Sequence, residues 1–410
     1  MLSLSIAILL ATAASHLQAQ QVAFEWKYLN FSWPSTQAYE DAVKDGSYVP
    51  ANTVITGIKV HKGNVYLSLP RWKRGIPATL AVLSKSAEKS SPLLQPYPNW
   101  RMQKLDDCAA FQYVQSMEID PQGRMWVLEN GRTEFRTDNP RTKCPSRLVI
   151  LDLESDGQIL LDYEFPQDVI SKDSVFLNDL VLDHEDGGYA YITDQDSEKP
   201  GIVVFSLKDK TSWKVSHDRS MRAAKEAVEY KFEDNVMTIE GPVDGIALSA
   251  ACAHGNRILY YTPLSSYEIF SVPVRVLKSR KLSTENVDKH ITLVGRKPSQ
   301  TDGMVVSADG LLYFGLLTKS AVSYYNTTSS RSLTENQRVL YQDKATNQWP
   351  DTFAMDEEGW LWWTPNALQN YFADKPNDRA VNYRVIKLKT SSKSYQYYED
   401  GSYPELPKIN

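Results

Sequence analysis

One unit recurs along this 410-residue chain and constrains its fold more than any other feature. The segment "FAMDEEGWLWWTPN" from Phe353 is an apolar run, a polar turn and a second run rich in aromatic residues. Relatives of it begin at Ile58 ("IKVHKGNVYLSLP"), Met117 ("MEIDPQGRMWVLEN"), Leu180, Ile246 and Met304, so the six starts lie 59, 63, 66, 58 and 49 residues apart. Most copies are followed by a further strand pair, such as "GIVVFSLKDKTSWKV" from Gly201. Helical periodicity is scarce, and short β-rich runs alternate with Gly, Asp, Asn and Pro turns. Four strands per copy, repeated radially, predict an all-β chain folded as a six-bladed β-propeller. A β-sandwich, or two unrelated β domains that reuse hairpins, is the competing arrangement. "FEWKYLNFSW" near the start and "VNYRVIKLKT" near the end are expected to pair in one blade and close the ring. One propeller domain is expected over residues 20–410, with the tail from Glu399 running as an extended arm.

Aligning the copies on the polar residue that ends the first strand (His61, Asp120, Asp183, Ser249, Ser307 and Asp356) exposes a second regularity. Five positions earlier stand Thr56, Gln115, Asn178, Asp244, Asp302 and Asp351, all polar although apolar residues follow. In a propeller the first strand of each blade lines the central channel, so these positions should form a ring at one level. Their neighbours, Gly57, Ser116, Asp179, Gly245, Gly303 and Thr352, are small, hydroxyl-bearing or acidic and are expected to leave room for a ligand. The ends of the second strands, at Asn130, Asp194, Thr318 and Asn366, could add another polar ring.

Several carboxylates in one confined site raise each other's pKa unless a cation intervenes. No cofactor is expected, although nearby Lys and Arg side chains could supply the cation, or calcium could, with Asn178, Asp244 and Asp302 as its oxygen ligands. A small aromatic amine is the alternative, its ring met by Tyr260, Tyr261, Trp349 and Phe353. The competing view is that these Asp residues simply tie turns and backbone together. No G-x-S-x-G elbow, P-loop, H-E-x-x-H or dinucleotide fingerprint is present. His61, His184, His217, His254 and His290 fall mainly in predicted turns and read as surface imidazoles. A proton shift between carbon and oxygen needs only positioned carboxylates or an imidazole, so isomerase chemistry is allowed.

The formal charge of -5, with no sustained basic stripe, argues against nucleic-acid binding. Residues Leu2 to Ala14 are almost wholly apolar or small, and no Lys, Arg, Asp or Glu precedes Glu25. That run is too short to span a bilayer and reads as a secretory signal over residues 1–19, leaving an extracellular protein with no membrane anchor. Sequons at Asn30 and Asn326 agree with export and glycosylation. Of three cysteines, Cys108 and Cys144 are the expected disulfide, with Cys252 left as a buried thiol.

The blocks "EWKYLNFSWPS", "LPRWKRGIPATL", "YPNW", "DCAAFQYVQSMEIDPQGRMWVLENG" and "WPDTFAMDEEGWLWWTPNALQ" resemble the yellow / major royal jelly protein family from about residue 24 to about residue 400. The resemblance implies a six-bladed propeller. It also implies a spread of activities, from dopachrome tautomerases of insect pigmentation through salivary binders of biogenic amines to nutritional or structural secretions. In the amine binders a Thr and an Asn fifteen apart in the last blade hold the ligand; the matching positions here are Asp351 and Asn366. The Asn is kept and a carboxylate replaces the hydroxyl. The expected function is therefore binding of a small aromatic amine or catechol-derived ligand by Asp351, Asn366, Asp302, Asp244, Asn178, Asp179, Thr352, Phe353 and Tyr261, with dopachrome-type isomerisation as the candidate reaction. A passive amine carrier and a calcium-dependent lactonase-like propeller are the alternatives.

Overall fold

A computed structural model describes residues 20–233, 235–251 and 256–409. The expected signal over 1–19, the Cys252 thiol and His254 lie outside these residues. The protein is all-β and propeller-like: among the described residues there are six four-stranded antiparallel sheets and one added hairpin, Glu229–Lys231 with Val236–Thr238. The six innermost strands are Gly57–His61, Val114–Ile119, Leu177–Asp183, Val243–Leu248, Met304–Val306 and Pro350–Met355. Each lies against the innermost strand of the next sheet, and the sixth lies against the first.

The sixth sheet contains both ends of the chain. Its outer strand, Gln21–Trp26, pairs antiparallel with Tyr383–Lys389, as the sequence predicted. Apolar cores fill the spaces between adjoining sheets. Tyr66 and Leu80 meet Val127 between the first and second, while Phe353 and Trp363 meet Val305 and Val322 between the fifth and sixth. Trp26 and Trp362 join Ile58 and Leu67 between the sixth and first. A buried aromatic residue removes on the order of 150–250 Å² from water, worth about 4–6 kcal/mol at ~25 cal/mol per Å². Trp26 alone therefore anchors the terminal strand firmly, and its indole N–H donates to the Pro92 carbonyl at 2.8 Å.

In four of the six copies the polar residue after the innermost strand closes the hairpin behind it. Asp356 accepts from the Glu358 and Trp360 amides and from the Trp362 indole, at 3.0, 2.9 and 2.9 Å. Asp120 does the same for Gln122, Arg124 and Trp126. Ser249 accepts from the Ile258 amide, and Ser307 from that of Leu311. The recurrence that revealed the repeat is a turn device.

At that same end the chain crosses the axis. Residues 393–397, after the last strand, bond to four sheets in turn. Tyr395 donates its amide to Val306, the Ala251 amide donates to the Tyr395 carbonyl, and Gln396 Nε2 donates to Ile119, at 2.9, 2.9 and 2.8 Å. The Tyr395 hydroxyl accepts from the Leu182 amide at 2.9 Å. The tail after Glu399 has no regular structure, yet Leu406 is buried and the Pro407 carbonyl accepts from Arg124 at 2.6 Å. Residues 393–397 thus form a strap across one mouth of the channel. Cys108 and Cys144 are joined, with Cα atoms 5.3 Å apart. No helix among the described residues is long and apolar enough to cross a membrane.

Candidate functional site

At four of the six ring positions the ladder between first and second strands is interrupted, while Thr56 and Asp302 lie just ahead of their strands. Register breaks between Val114 and Met117, Leu177 and Leu180, Val243 and Ile246, and Pro350 and Phe353, leaving Gln115, Asn178, Asp244 and Asp351 out of the pairing. A break of this kind re-aims side chains, here toward the axis. The glycines beside the ring serve a different purpose from the one expected. A Cβ on Gly245 would stand 2.1 Å from the Asp302 carbonyl oxygen, and one on Gly303 would stand 2.4 Å from that of Asp351. They let adjacent innermost strands approach, and the Gly303 amide donates to Asp351 at 2.6 Å.

Around the throat the side chains bond from sheet to sheet. Thr56 Oγ1 donates to the Gln115 carbonyl at 2.9 Å, Gln115 Nε2 to Asn178 Oδ1 at 2.9 Å, and Asn178 Nδ2 to Asp244 Oδ1 at 2.6 Å. Asp244 is hydrogen-bonded to Asp302, whose other partner is the Trp349 indole at 2.7 Å. Asn366 bridges the last gap, donating to Asp351 and, at 2.8 Å, to the Ile55 carbonyl. The ring is therefore uneven, with neutral groups on sheets one to three and three carboxylates on sheets four to six.

Among the described residues no Lys or Arg is ion-paired with Asp244, Asp302 or Asp351. Burial first, then the Asp302 charge, pushes Asp244 and Asp351 well above the ordinary carboxylate range. Burial raises Asp302 as well, to about 6, although the Trp349 N–H and Asp244 hold it down. The hydrogen bond between Asp244 and Asp302 favours the proton on Asp244. Asp179 lies one step down the channel, accepts from Ser116 at 2.8 Å and is raised by burial against the pull of Lys59. Lys59 itself pairs with buried Glu118 at 3.2 Å and donates to the Phe353 carbonyl.

Above the ring sits an aromatic roof contributed by loops of several sheets. The Trp72 indole donates to the Tyr113 hydroxyl, which donates to Gln115 Oε1, both at 2.7 Å. Trp72 stacks on Phe372 (6.0 Å between centroids) and Trp349 on Tyr230 (5.8 Å), with Phe135 and Phe176 filling between. The Arg136 guanidinium lies 4.3 Å from the Phe372 ring centre. Repeat alignment could not find this roof, because its members sit in loops of unequal length; the density of Trp and Phe just outside the strands is the only sequence signal.

Three of the named residues are placed otherwise than expected. Tyr261 lies in the core between sheets, its hydroxyl 2.8 Å from Ser220 and its ring stacked on Phe270, away from the throat. The Phe353 ring packs on Trp363 and Val305, so only its backbone faces the channel. Tyr260 is likewise buried in an inter-sheet core. Tyr260 and Tyr261 belong to the second strand, Ile258–Pro263, which is packed between sheets, and Phe353 resumes the ladder after the register break that frees Asp351, so its ring turns to the packed face. Thr352 is buried beside Asp351. In the second ring, Asn130 pins the Leu177 backbone, and Asp194 accepts from the Phe176 amide and pairs with Lys214 at 2.7 Å. His61 and His184 are buried, against expectation, the first between Glu154 and Glu357 and the second on Gln396.

Calcium fits this arrangement poorly. Asn178 turns its N–H, not its oxygen, to Asp244, and both Asp244 oxygens already accept amides, from Asn178 and Gln195. Among the described residues no three His, Cys, Asp or Glu side chains are grouped to hold a metal.

The family model for major royal jelly protein matches residues 112–395. The chain belongs to the major royal jelly protein family. Among relatives, this family member is 25% identical to dopaminechrome tautomerase of Drosophila melanogaster over 378 residues, 90% of this chain and 81% of that one. It is 28% identical to protein yellow of the same fly over 384 residues, 89% of this chain and 68% of that one. Among solved structures, a luciferin-regenerating enzyme matches at TM-score 0.49 and 13% identity, covering 83% of this chain and 93% of that one. A calcium-binding regucalcin from Agrobacterium tumefaciens matches at TM-score 0.48 and 11% identity, covering 87% and 94%.

Proposed function

We propose that this royal jelly family protein is an exported, closed six-bladed propeller that takes a small aromatic amine or catechol-derived molecule into its throat. We further propose that it isomerises a quinone-type ligand there, as the name of its dopaminechrome tautomerase relative suggests. One observation carries this reading: Asp244 and Asp351 are buried with the part-buried Asp302 beside them, none of the three in an ion pair among the described residues, beneath a roof of aromatic rings. An ammonium group would supply the missing charge, and the rings would take the apolar body of the ligand.

The carboxylates are poised unequally, which suits proton transfer. Near neutral pH Asp302 is ionised and acts as the base that takes a proton from carbon. Asp351 or Asp244, kept protonated by burial, gives one to the quinone oxygen. Because residues 393–397 cross one end of the channel, a ligand would enter from the roof side. Dopaminechrome turnover, followed by loss of its visible absorbance, is the test. Asp302→Asn should lower kcat at least a hundredfold with the fold intact, and unchanged turnover would refute the assignment. If no turnover occurs but dopamine or serotonin binds calorimetrically, and Asp351→Ala abolishes that heat, the protein is a passive amine carrier.

A further inference from the structure

A second site stands outside the throat. Between the fifth and sixth sheets, on the same face as the roof, lies a cavity of about 810 Å³, and none of Thr56, Gln115, Asn178, Asp244, Asp302 and Asp351 lines it. Its walls come from the loops after Leu311–Leu316 and Arg338–Gln342, the segment following Trp360–Pro365, and the added hairpin. That volume lies in the range of small-ligand pockets. The lining is neither apolar nor acidic.

Its chemistry is distinctive on three counts. First, four cations line it against one carboxylate, Glu233. Lys231 and Lys344 have ion-pair partners, but Lys319 has none among the described residues. Second, Gln369 is 5% exposed, and its Oε1 has no hydrogen-bond partner although its Nε2 donates to Gln348 at 2.8 Å. Arg384 Nε has no hydrogen-bond acceptor but lies 3.9 Å from the Glu25 carboxylate, its ion-pair partner. The unmet Gln369 acceptor and the Gln348, Asn370, Asn377 and Asn382 amides of the lining suit a ligand group that both donates and accepts, and a hydroxyl is the simplest such group. A buried polar atom left unpaired costs about 1–3 kcal/mol, so the Gln369 oxygen is unusual without a ligand to satisfy it. Third, Phe232 offers a single aromatic wall, held by stacking on Trp349 at 5.8 Å.

We infer that this groove binds an acidic saccharide, a polyhydroxylated ring bearing a carboxylate or sulfate. The lining amides, Gln369 included, would meet its hydroxyls, Lys319, Lys344 and Arg384 its negative charge, and Phe232 its C–H face. The inference is independent of what occupies the throat.

Calorimetric titration of the purified full chain tests it, using a sulfated disaccharide from heparin, its desulfated counterpart and inorganic sulfate as probes. The sulfated disaccharide should bind at least tenfold more tightly than either control. The double substitution Lys319→Gln/Lys344→Gln should weaken it tenfold or more, and Gln369→Met fivefold or more, with thermal unfolding within a few degrees of the parent. Amine or dopaminechrome assays on the throat should be unaffected by the lysine substitutions. Sulfate binding as tightly as the disaccharide would reduce the site to a simple anion contact. Equal binding of the neutral sugar, indifference to all three substitutions, or no heat at all would overturn the proposal.

Discussion

Replacing Asp302 by Asn isolates the cost of burying uncompensated charge. The substitution is nearly isosteric: the Asn oxygen can still accept from the Trp349 indole, now 2.7 Å from Asp302 Oδ2, and its amide can donate to Asp244. In the folded protein burial raises Asp302 from 3.8 to about 6. Between those values the folded state holds a proton that the unfolded state has lost, so stability is fully present below pH ~4 and falls as pH rises toward 6. A shift of that size corresponds to about 3 kcal/mol at most, from ~1.36 kcal/mol per pH unit. Asp302→Asn removes this loss. It should match the parent near pH 4 and exceed it by about 2–3 kcal/mol at pH 7, measured as urea midpoints at constant m across that range. The same substitution should weaken amine binding, because affinity in the parent should rise between pH 5 and 7 as Asp302 ionises. Uniform destabilisation at every pH would show that Asp302 is an ordinary structural carboxylate and would remove the physical basis for a cation site.

Other perturbations probe the frame. Tyr395→Phe leaves the Leu182 amide without its partner inside the channel and should cost about 1–3 kcal/mol in urea unfolding. Lys59→Met strands Glu118 without its ion pair and should cost about 3–5 kcal/mol, much of it recovered in the double substitution with Glu118→Gln. Removing the Cys108–Cys144 link with paired serines releases a loop closed across 36 residues, expected to lower stability by about 4 kcal/mol on the chain-entropy model. Tailless protein ending at residue 390 should expose the channel floor and unfold at lower temperature, detectable by scanning calorimetry.

Periodicity alone made the repeat visible. Side chains in a strand alternate with period two and turns demand particular residues, so six similar hairpins leave six similar marks wherever they fall in the chain. Polar positions five residues ahead of each turn were legible for the same reason. The pairing of the first and last strands, and the Cys108–Cys144 link, also followed from local character.

Tertiary structure decided what those marks mean. The turn-closing Asp356 and the throat residue Asp351 are the same residue type five positions apart, and only the break in the ladder sends one to the axis and the other to a hairpin. Tyr261 and Phe353 looked equally available for a ligand, but the second strand's place between sheets buried one ring and the register break after Pro350 the other. The roof, the strap of residues 393–397 and the groove beside Gln369 arise where segments distant in sequence converge, and convergence leaves no local pattern. Sequence fixes what each segment prefers to be; which groups end up buried together, and therefore which charges go unanswered, depends on how the whole ring packs.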